Sequence, residues 1–125
     1  MAGDARAALE RARARLDRLT LYPRPVRIDR VRVVTLPWFF GLPWLRRYAG
    51  YTLIRTILLR RPLAQVSDDL LTHELCHVWQ MQNEPLKVVW AFFTHRYRNN
   101  PYEIEARWAV EQTRGDPKPL IEGLD

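Results

Sequence analysis

The sequence predicts an α+β fold, with a small β-sheet, one buried helix lying against it and a second helix downstream. Three observations predict it. Val66 to Glu84 contains neither Pro nor Gly, so a helix of several turns can run through it. Two runs rich in Val, Ile and Leu, Val26 to Leu36 and Tyr51 to Arg60, come before it and read as strands. Asn100-Pro101 then offers an N-cap followed by a proline at the first helical position.

The 125 residues are expected to form one domain, 1–125, with a single core. Hydrophobic residues make up 47% and charged residues 27%, the balance of a globular rather than a disordered chain. No apolar run approaches the roughly 20 residues needed to span a bilayer. No apolar stretch follows the charges of the first residues, so no signal peptide is expected. Cys76 is the only cysteine, which excludes an internal disulfide and points to a reduced, cytoplasmic setting.

Taken in order, Asp4 is expected to cap a helix running to about Leu19. Ala5, Leu9, Ala12, Leu16 and Leu19 fall on one stripe, with Arg on the other faces. This basic helix, counted as 1–21, should dock on the domain. Its apolar face lacks the Trp and Phe of a membrane-surface helix. Tyr22-Pro23-Arg24-Pro25 breaks it. In the strand Val26 to Leu36 the alternation changes phase between Ile28 and Val31, which suggests a bulge. Leu36 to Trp44 holds two prolines, a glycine and four aromatics, so it reads as loop or short helical turn whose aromatics are expected to plug the core, with contact to a hydrophobic substrate the alternative. Tyr51 to Arg60 is the second strand, ended by Arg61-Pro62. Ser67 or Asp68 caps the next helix, which runs to about Gln82. Pro85 to Arg98 reads as a further helix, apolar around much of its surface and expected to pack against the motif helix, with a partner or membrane face left open. Asn100 caps the last helix, Gly115-Asp116-Pro117 ends it, and 116–125 is expected to be a loose tail.

The chemistry lies in Leu70-Leu71-Thr72-His73-Glu74-Leu75-Cys76-His77-Val78-Trp79. Four residues turn a helix by about 400°, so His73 and His77 leave one face roughly 6 Å apart along the axis. Two neutral imidazoles so placed can share one metal ion, and zinc suits them. Glu74 is rotated about 100° from His73, where it can reach a water on the metal without occupying a ligand position. The apolar flanks bury the helix around these residues. The alternative is a core helix whose histidines are satisfied by hydrogen bonds. Cys76 reads as a small buried hydrophobe rather than a ligand.

These residues resemble a zincin metallopeptidase, specifically a very small gluzincin. Thr52 to Gln82 is similar to the small HExxH domains of minigluzincins and of proteins associated with contractile injection systems, in which a strand, a short loop and a His-Glu-Leu-x-His-x-x-Gln helix follow one another. The resemblance covers roughly residues 50–110. It implies a minimal zincin-like fold and a third zinc ligand, a Glu, on the downstream helix. In Pro101-Tyr102-Glu103-Ile104-Glu105-Ala106-Arg107, Glu103 stands three residues before Ala106 and matches that ligand; Glu105, on another helix face, is its rival. Arg107 stands where the family usually has an Asp or Asn partnering a zinc ligand, so the histidine's outer hydrogen bond is left unassigned. The resemblance also implies that the strand just before the motif helix is a cleft-lining edge onto which an extended peptide can add. Gluzincins often stabilise the oxyanion with a His or Tyr, so the resemblance makes His95 or Tyr97 a candidate for that role, with a structural role the favoured expectation for both.

Three protein ligands would leave a position for water, the arrangement of a catalytic site. The expected function is therefore zinc-dependent peptide hydrolysis of a peptide or protein substrate, with Glu74 as general base. A zinc-binding interaction module without turnover is the alternative. The net charge of +6 splits into +10 over residues 1–61 and −4 over 62–125. That asymmetry would suit a nucleic-acid adaptor, but no reading element accompanies it, and a solvated basic face accounts for it. Substrate preference and oligomeric state have no sequence signal.

Overall fold

The computed structural model describes residues 2–95 and 97–115. Among the described residues the fold is α+β, with four α-helices and a three-stranded sheet. The elements are α1 (Ala2–Leu16), β1 (Arg32–Thr35), β2 (Gly50–Leu53), β3 (Thr56–Leu59), α2 (Asp68–Asn83), α3 (Pro85–Thr94) and α4 (Pro101–Thr113). The expected tail, 116–125, lies outside the described residues.

Helix α2 is the hub, packed against α1, α3, α4, β2 and β3. Its start follows from local chemistry. The Leu70 N–H donates to the Ser67 hydroxyl at 3.0 Å, and Asp68 and Asp69 face the positive end of the helix dipole. It ends where Pro85 opens α3. Leu71, Leu75, Val78 and Trp79 are buried at helical spacing and form the centre of the core.

Ala8, Leu9, Ala12 and Leu16 of α1 join that core. The stripe is as expected, but the boundaries are not: Asp4 sits inside the first turn instead of capping it, and the helix ends at Leu16. Part of the basic face is used internally. Arg15 donates to Asp69 at 2.9 Å, to the Val110 carbonyl at 3.0 Å and to the Thr113 hydroxyl at 3.1 Å, tying α1 to α2 and α4.

The sheet order is β1-β3-β2, with β1 parallel and β2 antiparallel to the central β3. Both predicted strands need correction. Only 32–35 of the first forms a ladder. Residues 26–31 are irregular, holding Val26 and Ile28 in the core, and the phase change is a turn at Asp29-Arg30, not a bulge. The second strand is a hairpin, with Leu53 paired to Thr56 across Ile54-Arg55. Ile54 takes φ 57°, a left-handed conformation that a β-branched residue rarely adopts. No Gly or Asn marks the turn, so it was invisible to sequence patterning.

This topology relocates the edge. The strand directly before α2 is β3, at the centre of the sheet, and the edge strand packed on α2 is β2. The aromatic segment forms two 3₁₀ turns, Pro37–Gly41 and Pro43–Leu45. Phe40 is buried, but Trp38 and Trp44 are exposed, so the aromatics plug the core only in part. Helix α3 stops at Thr94 rather than Arg98 and buries only Val88 and Ala91.

Candidate metal centre

His73 and His77 extend from one face of α2 toward the first turn of α4. That turn is fixed by Asn100, whose side-chain oxygen accepts from the Tyr102 N–H at 2.9 Å, and by Pro101 at the first helical position. Glu103 is thereby presented at the third position, where the dipole of α4 favours a carboxylate. His73 Nε2 lies 3.1 Å from Glu103 Oε1 and 3.2 Å from His77 Nε2, and His77 Nε2 lies 2.5 Å from the same Glu103 oxygen. One oxygen and two ring nitrogens thus face a common point.

The donor set fits a metal ion. Zinc bonds of about 2.05 Å in a tetrahedron would put ligand atoms roughly 3.3 Å apart, close to two of the three observed separations. Two imidazoles and a carboxylate are also the ligand types of hydrolytic zinc. Without a cation, the three atoms need a proton between them. Burial would lower the His77 pKa, but its hydrogen bond to Glu103, with the nearby charges of Glu103 and Glu74, holds it up at about 9. Burial pushes Glu103 upward, and the two histidines more than reverse that, holding it well below the usual carboxylate range.

The outer hydrogen bond of His77 goes to Gln80. The Gln80 amide nitrogen donates to the Tyr102 carbonyl at 2.9 Å and to Glu105 at 3.0 Å, both acceptors only, so its oxygen faces His77 Nδ1 at 2.8 Å. The proton of neutral His77 therefore sits on Nδ1, leaving the Nε2 lone pair directed at the cluster. Glu105, the rival carboxylate, is not in the cluster. It anchors Gln80 and accepts from the Tyr22 hydroxyl at 2.6 Å. Arg107 is placed elsewhere: it stands over the Tyr97 ring at 5.7 Å and donates to the Arg98 carbonyl. The Gln three residues beyond His77 was visible in the sequence, but its role needed the contact with α4.

Glu74 is buried beside the cluster. Its carboxylate lies 2.8 Å from the Thr52 hydroxyl of β2, and burial raises its pKa against the lowering pull of His77, His73 and Thr52. Gly50 makes room for it: a Cβ there would stand 3.2 Å from Glu74 Cγ. Neither Thr52 nor Gly50 carried a sequence signal, because both act across the sheet-to-helix packing. Cys76 is buried in the hydrophobic core and is not one of the three converging ligand groups, its thiol pushed up by burial.

A cleft of about 300 Å³ opens onto Glu74, His77 and Glu103. Gly50, Tyr51 and Thr52 of β2 form one wall and Phe92 and Phe93 of α3 another. His95 and Tyr97 both line it. Burial, followed by the charge of Glu103, raises Tyr97 to about 12.

Fold and site together define a small α+β protein with a buried His-His-Glu cluster that could hold a metal ion, opening into an aromatic-walled cleft. Comparison with known proteins adds no relative: no family model, no curated protein and no solved structure matches the chain.

Proposed function

We propose that this chain is a zinc-dependent metallopeptidase of the gluzincin-like kind. The observation that carries the reading is the convergence of His73, His77 and Glu103 from two helices, with buried Glu74 beside them in an open cleft. His73, His77 and Glu103 would hold the metal. A zinc ion bound there would supply Lewis-acid activation of a water and of the substrate carbonyl.

The residues of the chain do the rest. Glu74, held by Thr52 and raised by burial, takes the proton of the attacking water and delivers it to the leaving amine. Edge strand β2 borders the cleft, so an extended peptide can add to it by backbone hydrogen bonds, with Tyr51 and Phe92 flanking its side chains. Tyr97 and His95 line the same cleft, and in this reading either would donate to the developing oxyanion.

The test pairs metal analysis with peptide cleavage. Wild-type protein should hold one zinc and cleave members of a peptide library. Glu74→Gln should keep the zinc and lose at least about a hundredfold in turnover, the scale of a general base. Stoichiometric zinc with no cleavage of any peptide would leave the non-catalytic binding module in its place.

A further inference from the structure

Helix α3 has two apolar faces. Val88 and Ala91 are buried against the rest of the fold, while Leu86, Trp90 and Phe93 are 85%, 70% and 84% exposed. At about 100° per residue, those three fall within a stripe roughly 60° wide, on the side opposite the buried pair. A helix on a soluble domain normally turns polar side chains outward. Here Val89 and Phe92 widen the exposed apolar surface further. A contiguous patch of Trp, Phe, Leu and Val on a ten-residue helix marks a docking surface.

Charge selects the occupant. From Pro85 to Tyr102 the sequence has Lys87, Arg96 and Arg98 and no acid. Glu84, just before this segment, is paired with Lys87 at 3.3 Å. Exposed Trp and Phe on a ridge that carries no acid of its own, with Arg96 and Arg98 following it in the sequence, match the composition of a helix that lies in the headgroup region of an anionic bilayer. Beyond the far wall of the cleft, Phe39 rests on Tyr51 at 5.9 Å and Trp38 on Phe39 at 6.3 Å, and Trp38 is 68% exposed. No helix among the described residues is long and apolar enough to cross a membrane, so contact through α3 would be peripheral.

We infer that the outward stripe of α3, Leu86, Trp90 and Phe93, docks this protein on anionic lipid surfaces. Because Phe92 and Phe93 also wall the cleft, docking brings the cluster to the bilayer interface. The inference does not rest on metal binding or catalysis.

Vesicle co-sedimentation of the full chain tests it, using phosphatidylcholine alone and phosphatidylcholine with one third phosphatidylglycerol. Wild type should bind the anionic vesicles, bind neutral ones far less, and release as salt rises. The Trp90→Ser/Phe93→Ser pair should bind at least about tenfold more weakly, the combined effect of removing two interfacial anchors. Both positions are exposed, and an unchanged circular dichroism spectrum confirms that the variant is folded. Binding should be equal with zinc and with chelator, so failure here leaves the peptidase reading untouched. Absent binding, equal binding to both vesicle types or undiminished binding by the double variant overturns the inference. So does a concentration-dependent dimer abolished by the same pair, which would assign the stripe to a second copy.

Discussion

Gln80 is the residue on which the geometry of His77 turns. It is fully buried, bridges His77 to α4, and reads its own orientation from the Tyr102 carbonyl and Glu105. Replacing it with Leu removes the hydrogen bond that directs the Nε2 lone pair. Zinc affinity should fall about 10- to 100-fold in a competition titration with a chelating dye. Stability of the metal-free protein should fall by about 2 kcal/mol, because buried acceptors lose their partner. A variant that binds zinc as tightly as wild type would assign Gln80 a packing role alone. The sequence placed His73, Glu74 and His77 on one helix from spacing, and the family pattern placed Glu103. It had no means to choose Gln80 over Arg107 as the outer partner, since that choice depends on which side of α4 meets α2.

At the scale of elements, the β2–β3 hairpin is where sequence patterning failed most clearly. Alternation continues through Ile54-Arg55 as though the strand were unbroken, and only a positive φ at Ile54 reverses the chain. A left-handed β-branched residue costs about 1–2 kcal/mol, while glycine costs about 0.5–1 kcal/mol more chain entropy than an ordinary residue. Ile54→Gly should therefore stabilise the fold slightly, by roughly 0.5–1 kcal/mol in denaturant unfolding. A loss of stability would mean that the exposed Ile54 side chain makes a contact worth more than the backbone relief. The helices were easier to read. Ser67 and Asn100 announce their caps locally, so α2 and α4 start where predicted. Asp4, by contrast, was mistaken for a cap because α1 begins before it.

The whole molecule is held by contacts that α2 makes on every side, and charge contributes where α1, α2 and α4 meet. Asp69 of α2 receives Arg15 of α1 at 2.9 Å and Arg114, just past α4, at 3.0 Å. Burial would raise its pKa, but the hydrogen bonds from the two guanidiniums lower it below its ordinary 3.8. A depressed carboxylate stabilises the fold above 3.8 and loses that contribution as pH falls through the folded value. Asp69→Asn should thus lower the melting temperature modestly at neutral pH, since the carboxylate is partly exposed, and the gap to wild type should close in acid. A gap that persists unchanged at the lowest pH would show that the loss is not electrostatic. Metal removal acts at the same scale. If His73, His77 and Glu103 clamp α4 to α2 through zinc, chelation should lower the melting temperature, and added zinc should raise it with concentration.

What the sequence determined by itself is local: the α+β class, the motif helix with its cap, the pairing of His73 and His77 on one face and the start of α4. Each follows from spacing along a single element. The tertiary structure alone decided that Gln80 meets the outer nitrogen of His77, that β2 is the edge beside the cleft, that Thr52 and Gly50 shape the seat of Glu74, and that α3 turns an apolar stripe to solvent. Those outcomes depend on which faces meet when separate elements pack, and residues distant in the chain carry no shared periodicity from which that could be read.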